Sequence, residues 1–153
     1  MASAPDSTAM FLPLVVAVAT TVCTVVIHAL ALATIVVFVR RERRFGYAGV
    51  RFSGNVAVVA GATLLALAAH LAEITAWALV FLLCGEFSHF ASAFYHSAGA
   101  YTSLGDGAVM SATWKLLGPL ETADGLLMFG VSTAMIFAVI QRLIEARYQD
   151  LRN

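Results

Sequence analysis

The feature that most constrains this chain is a succession of long, nearly uncharged apolar runs. The first extends from Met10 to Val39, broken only by Pro13 and His28. As a helix it would reach about 43 Å at 1.5 Å per residue, enough to cross the ~30 Å hydrocarbon core of a bilayer. The second runs from Gly54 to Cys84 and carries His70 and Glu73. The third runs from Leu120 to Ile144, with Glu121 and Asp124 at its start and Arg142 and Arg147 at its end. Only 12% of the chain is charged and 61% is hydrophobic, against about 25% charged in a soluble domain. An ordinary water-soluble fold and a disordered chain are both excluded. The expectation is an all-α integral membrane protein. Segments 10–39, 54–84 and 120–144 are its transmembrane helices, with a short N-terminal stretch (1–9), a loop (40–53) and a tail (145–153). The first run is too long for a signal-peptide core and has no basic flank before it, so it is expected to persist as a span.

The piece between the second and third runs, 85–119, is different. Phe87–Ala100 (FSHFASAFYHSAGA) reads as a helix, but it would be only about 21 Å long. A glycine-containing stretch follows. A helix too short to cross, with irregular backbone after it and a span on each side, predicts a re-entrant segment. Irregular backbone at membrane depth is tolerated only where protein buries it or water lines it.

Arginines set the expected orientation. Arg40–Arg51 (RRERRFGYAGVR) holds five arginines and one glutamate, and Arg142, Arg147 and Arg152 follow the third run. The first nine residues carry only Asp6, and 85–119 only Lys115 as a basic side chain other than histidine. The positive-inside rule places the N-terminus outside, 40–53 and the C-terminus in the cytoplasm, and 85–119 outside. The localisation expected is the inner cell membrane, with the arginine loop against anionic lipid headgroups. With nine basic and nine acidic residues, nothing points to nucleic acid. No nucleophile–base pair, zinc motif or phosphate loop is present, so no enzymatic activity is expected. Cys23 and Cys84 lie inside or at the edge of apolar runs without metal-ligand spacing and read as small buried hydrophobes.

The informative motif is Tyr101-Thr102-Ser103-Leu104-Gly105-Asp106-Gly107, directly after the short helix. Potassium channels use a TVGYG loop whose carbonyl oxygens replace the ion's hydration shell. Ser103–Gly107 stands where that loop would stand when the glycines are aligned. Glycine is required there because carbonyls that all point at one axis need backbone conformations closed to residues with a Cβ. A hydroxyl at Ser103 would add an oxygen. On these residues the chain resembles small bacterial members of the two-transmembrane, pore-loop cation channel superfamily, with an extra N-terminal helix. His89–Gly107 resembles the pore helix and filter, and Trp114–Arg142 the inner helix. His28-Ala29-Leu30 and His70-Leu71-Ala72-Glu73 resemble the first two helices. The resemblance implies a homotetramer conducting monovalent cations through a filter of Thr102, Ser103, Leu104, Gly105, Asp106 and Gly107. Its permeant ions are K⁺ and Na⁺, and no bound cofactor is implied. Leu-Gly-Asp-Gly is closer to the T-V-G-D-G filter of non-selective channels than to T-V-G-Y-G, which implies weak K⁺/Na⁺ discrimination.

Several polar residues carry two readings. Asp106 either forms a ring of four carboxylates able to bind external Ca²⁺, or caps a backbone amide behind the filter. Gly125 and Gly130 are either a gating hinge or contact points against the short helix. His70 and Glu73, neighbours at i,i+3, form either a proton-sensing pair or a hydrogen-bonded tie to His28, Trp77 or the short helix. His28 and His70 near mid-membrane also admit haem ligation. A K⁺-selective channel and a purely accessory membrane subunit are the remaining alternatives.

Overall fold

The computed structural model describes residues 7–44 and 52–150. The N-terminal end, most of the second half of the arginine loop (45–51) and Arg152 lie outside the described residues. Four helices follow one another: α1 (Ser7–Arg44), α2 (Phe52–Leu83), α3 (Phe90–Tyr101) and α4 (Leu117–Asp150). Among the described residues there is no strand. Three helices are long and apolar enough to cross a membrane: Met10–Glu42, Ser53–Leu83 and Leu117–Tyr148.

α1 and α4 extend past the apolar runs at their charged ends. Their hydrogen-bonded backbone continues beyond the residues suited to hydrocarbon, so composition marks the apolar slab and not the helix ends. α4 also begins earlier than expected, with Gly118 and Pro119 inside its first turn, where a proline loses no hydrogen bond. The short helix starts at Phe90 rather than Phe87 and ends at Tyr101.

Valine-, threonine- and isoleucine-rich segments become helices because a spanning backbone must satisfy its own polar groups. The hydroxyls obey the same constraint. Thr20, Thr34, Thr63, Thr75 and Thr133 each donate to the carbonyl four residues earlier at 2.7–2.9 Å.

α2 runs antiparallel to α1 and α4. One apolar cluster joins Ile35 and Val39 of α1 to Val58, Ala62 and Ala66 of α2 and Val139 and Leu143 of α4. Small residues permit the close approach expected of the second span, and the Phe38 ring lies against Gly61. A second cluster at the other end gathers Ala17, Trp77, Phe81, Ala93, Tyr101 and Met128. α3 packs there, against α2 and α4. His96, in the middle of α3, lies beside Phe81 and Phe87. The C-terminal Tyr101 of the same helix reaches Glu73, which also contacts His28 in the middle of α1. At about 18 Å, α3 is too short to cross a bilayer by itself.

Both cysteines depart from expectation. Cys23 is exposed on α1 and Cys84 is half-buried after α2. Burial first, and the Glu86 carboxylate second, push the Cys84 thiol above its ordinary value.

Candidate functional site

The segment after α3 is irregular from Thr102 to Met110. Its backbone has a repeating feature. Ser103, Gly105 and Gly107 have φ of 60°, 71° and 72°, while no positive φ occurs at Leu104 or Asp106. Left-handed conformations at every second residue depart from the extended backbone of an ordinary strand. Glycine supplies this freely at two positions. Ser103 is the only described non-glycine residue with positive φ, a conformation that costs energy and is held by its surroundings.

Those surroundings are α3 itself. The Ser103 amide donates to Ala100 O at 3.0 Å and the Gly105 amide to Gly99 O at 2.9 Å. A Cβ on Gly99 would lie 3.1 Å from the Gly105 carbonyl carbon. Gly99 thus lets the strand fold back along the helix end. Sequence reasoning missed this residue, although a glycine inside a short helix costs about 1 kcal/mol against alanine and signals a close approach. The hydroxyl of Thr102 is spent on Ala98 O at 2.7 Å. Ser103, Leu104, Gly105 and Gly107 are exposed.

Asp106 does not stand free. Its Oδ1 accepts from the Ala108 amide at 3.0 Å and from His96 Nδ1 at 2.9 Å. Of its two readings, this is the amide cap, with a histidine of α3 as second donor. Burial raises the carboxyl, but the Ala108 amide and the His96 ring outweigh it and hold the group below its ordinary value. The His96 ring is itself wedged against Phe81 and Phe87, with centroids 4.9 and 5.0 Å away.

The acids at the start of α4 are buried in the bundle. Glu121 and Asp124 are 0% and 2% exposed. Ser97 of α3 bonds Glu121, and Asp124 Oδ2 accepts from Thr24 of α1 at 2.7 Å and Trp77 of α2 at 2.9 Å. Thr122 donates to Ala100 O at 2.7 Å. The end of α3 is thereby fastened to α4. Gly125 is where the two helices touch: a Cβ there would sit 2.2 Å from the Tyr101 carbonyl oxygen. Gly130 has nothing within 4 Å of such an atom. The geometry makes Gly125 a contact point.

Below Tyr101 lies a buried polar cluster built from all four helices. His28 Nδ1 meets Glu73 Oε1 at 2.7 Å. The Tyr101 hydroxyl donates to Glu73 Oε2. His70 Nδ1 lies 3.0 Å from the Tyr101 hydroxyl. Ser132 Oγ lies 3.1 Å from Nε2 of both His28 and His70. The expected tie between Glu73, His28 and the short helix is present, whereas Trp77 serves Asp124 instead. Ser132 and Tyr101 were not legible as members, because nothing local distinguishes them. Ligating atoms of His28, His70 and Glu73 fall within 4.8 Å of one another, but each is engaged in a hydrogen bond within the cluster. The two imidazoles share one hydroxyl, with ring centroids 5.3 Å apart. Axial haem ligation needs them on opposite faces of a macrocycle, and a shared hydroxyl leaves no gap for one.

Comparison with known protein families, with curated proteins and with solved structures finds no match for this chain.

Proposed function

We propose that this chain is one subunit of a homotetrameric pore-loop cation channel, with α3 as a re-entrant pore helix and Ser103–Gly107 as its filter strand. The observation that carries this reading is the positive φ at Ser103, Gly105 and Gly107, in an exposed strand that leaves a helix ending inside the bundle. On this reading the strand offers its carbonyls to one side, as replacement of an ion's hydration shell requires. The C-terminal end of α3 carries partial negative charge toward the same place, favourable for a cation. One strand cannot enclose an ion, and closed fourfold symmetry supplies equivalent carbonyls around an axis. α4 would line the inner cavity, α2 would be the outer helix, and α1 would be peripheral. The permeant ions are K⁺ and Na⁺. Discrimination is weak because Asp106 holds the outer segment by hydrogen bonds from Ala108 and His96, where an aromatic side chain would set its width by packing.

Purified protein in liposomes should pass both K⁺ and Na⁺, with K⁺ favoured by no more than about tenfold, or ~1.4 kcal/mol. Absence of flux there and in planar bilayers would overturn the channel reading and leave an accessory membrane subunit.

The proposed orientation has its own test. A cysteine replacing Ser3 should react with an impermeant thiol reagent in intact cells, and one replacing Gly49 should not, with Cys23 and Cys84 first changed to serine. The opposite labelling would place the strand on the cytoplasmic side and defeat the arrangement.

A further inference from the structure

Both imidazoles of the buried cluster are held between the same two groups. His28 Nδ1 lies 2.7 Å from Glu73 Oε1, and His70 Nδ1 lies 3.4 Å from Glu73 Oε2. Both Nε2 atoms lie 3.1 Å from Ser132 Oγ. The hydroxyl oxygen can accept from both rings at once. Each ring then carries its hydrogen on Nε2 and turns the lone pair of Nδ1 toward Glu73. Metal-binding histidines are set in this way: the outer nitrogen donates to a fixed acceptor, and the inner one is left bare for the ion.

Two lone pairs and a carboxylate that face one another need positive charge between them. Two protons supply it, and so does one divalent cation, with the same net charge for the cluster. Either leaves an excess of positive charge beside the single carboxylate of Glu73. Asp124 answers that excess. It is 2% exposed, it interacts electrostatically with Glu73 and His28, and its Oδ1 has no hydrogen-bond partner among the described residues. A buried carboxylate oxygen left bare in this way points to a cation nearby.

The donor set names the ion. Two imidazoles and a carboxylate, with ligating atoms within 4.8 Å of one another, suit Zn²⁺. Ca²⁺ and Mg²⁺ prefer shells of oxygen and do not suit it. The Tyr101 hydroxyl, 3.0 Å from His70 Nδ1, is the nearest further donor for a fourth position. Ligand atoms around a tetrahedral zinc stand about 3.3 Å apart. The contact of His28 with Glu73 must therefore widen by roughly half an ångström as the ion takes the place of the shared hydrogen.

We infer that His28, His70 and Glu73 form a zinc site that joins α1 to α2, with Ser132 of α4 setting both rings. The inference does not depend on the channel reading, because no residue of Ser103–Gly107 takes part in it.

The test uses the purified full chain, free of any affinity tag, prepared from cells grown with added zinc and, separately, exposed to Zn²⁺ in detergent. About one zinc per chain should survive gel filtration, and excess Ca²⁺ or Mg²⁺ should not displace it. Co²⁺ in its place should show the visible absorption of a four-coordinate ion. The double variant His28→Gln/His70→Gln should retain no zinc. Ser132→Ala keeps the ligands and should bind about tenfold more weakly by chelator competition. His89→Ala, at a histidine outside the cluster, should bind as the wild type does. Wild-type protein that retains no zinc in either preparation overturns the site. So does zinc retained unchanged by the double variant, which would place the ion elsewhere. Where the double variant does not fold, Ser132→Ala decides, and wild-type affinity there refutes the assignment. Zinc bound by a chain that passes no ions keeps the site and sinks only the channel.

Discussion

Gly125→Ala should lose the assembled protein. The new methyl would sit 2.2 Å from the Tyr101 carbonyl oxygen and 3.0 Å from its carbonyl carbon and Cγ. A flexible side chain could move aside, but these are mainly backbone atoms. That backbone is tied by Thr122 to Ala100 O and by the Tyr101 hydroxyl to Glu73. Overpacking of this kind typically costs about 1–3 kcal/mol per chain, and each copy in the proposed tetramer would bear it. The expected result on size-exclusion chromatography is little or no tetramer, with aggregated or dissociated protein in its place. Gly130→Ala is the control. It meets no atom within 4 Å and gains about 1 kcal/mol of helix propensity, so it should match the wild type in assembly and, on the channel reading, in flux. If Gly125→Ala assembles normally, the contact is wrong. If Gly130→Ala assembles but does not conduct, the hinge reading of that glycine returns.

The second large effect is expected at Asp106. Asp106→Ala removes one acceptor from two donors, the Ala108 amide and His96 Nδ1. Leaving such donors unpaired costs about 1–3 kcal/mol where they are shielded from water. The strand from Gly105 to Ala108 should loosen, and K⁺ and Na⁺ should then pass at rates set by their mobility alone. Asp106→Asn keeps an acceptor oxygen in the same place and loses only the charge, so its effect should be clearly smaller. The pair also differs in acid. The Asp106 carboxyl lies below its ordinary value because the amide and imidazole contacts outweigh burial, which acts in the opposite direction. A depressed carboxyl stabilises the fold above its unfolded value near 3.9 and loses that contribution as pH falls through the folded value. Thermal denaturation between about pH 6 and pH 2.5 should show that loss in the wild type, while Asp106→Asn should lack this component. Equal behaviour of the alanine and asparagine variants in flux and denaturation would mean that the carboxylate contacts do not hold the strand.

How much was legible before folding differs by element. The three long helices followed from apolar runs, since a bilayer admits little else for such segments. The short helix was equally plain: a stretch able to reach only about 20 Å, between two spans, has few other forms. The positive φ at Gly105 and Gly107 was foreshadowed by the residue type itself, because glycine enters that region without steric cost. Helix ends were less visible. Charged residues continue α1 and α4 past their apolar runs, and Pro119 sits within a first turn where proline causes no loss.

The pairing of buried polar groups was decided by the tertiary structure. His28 lies 45 residues from Glu73 and 104 from Ser132, and no periodicity relates positions on different helices. Which of them meet depends on the rotation and sliding of each helix, fixed by contacts such as Phe38 on Gly61 and Tyr101 on Gly125. The same holds for Asp106. Its residue type allows an open carboxylate or an amide cap, and the His96 ring, set by its packing against Phe81 and Phe87, selects the second. Local chemistry determined what each segment of this chain becomes: a helix long enough to cross a membrane, a helix too short to do so, or an irregular segment with a left-handed residue at every second position. Tertiary packing decided which side chains share a proton, because hydrogen bonds require contact within about 3 Å and only the packed bundle brings residues so distant in sequence that close.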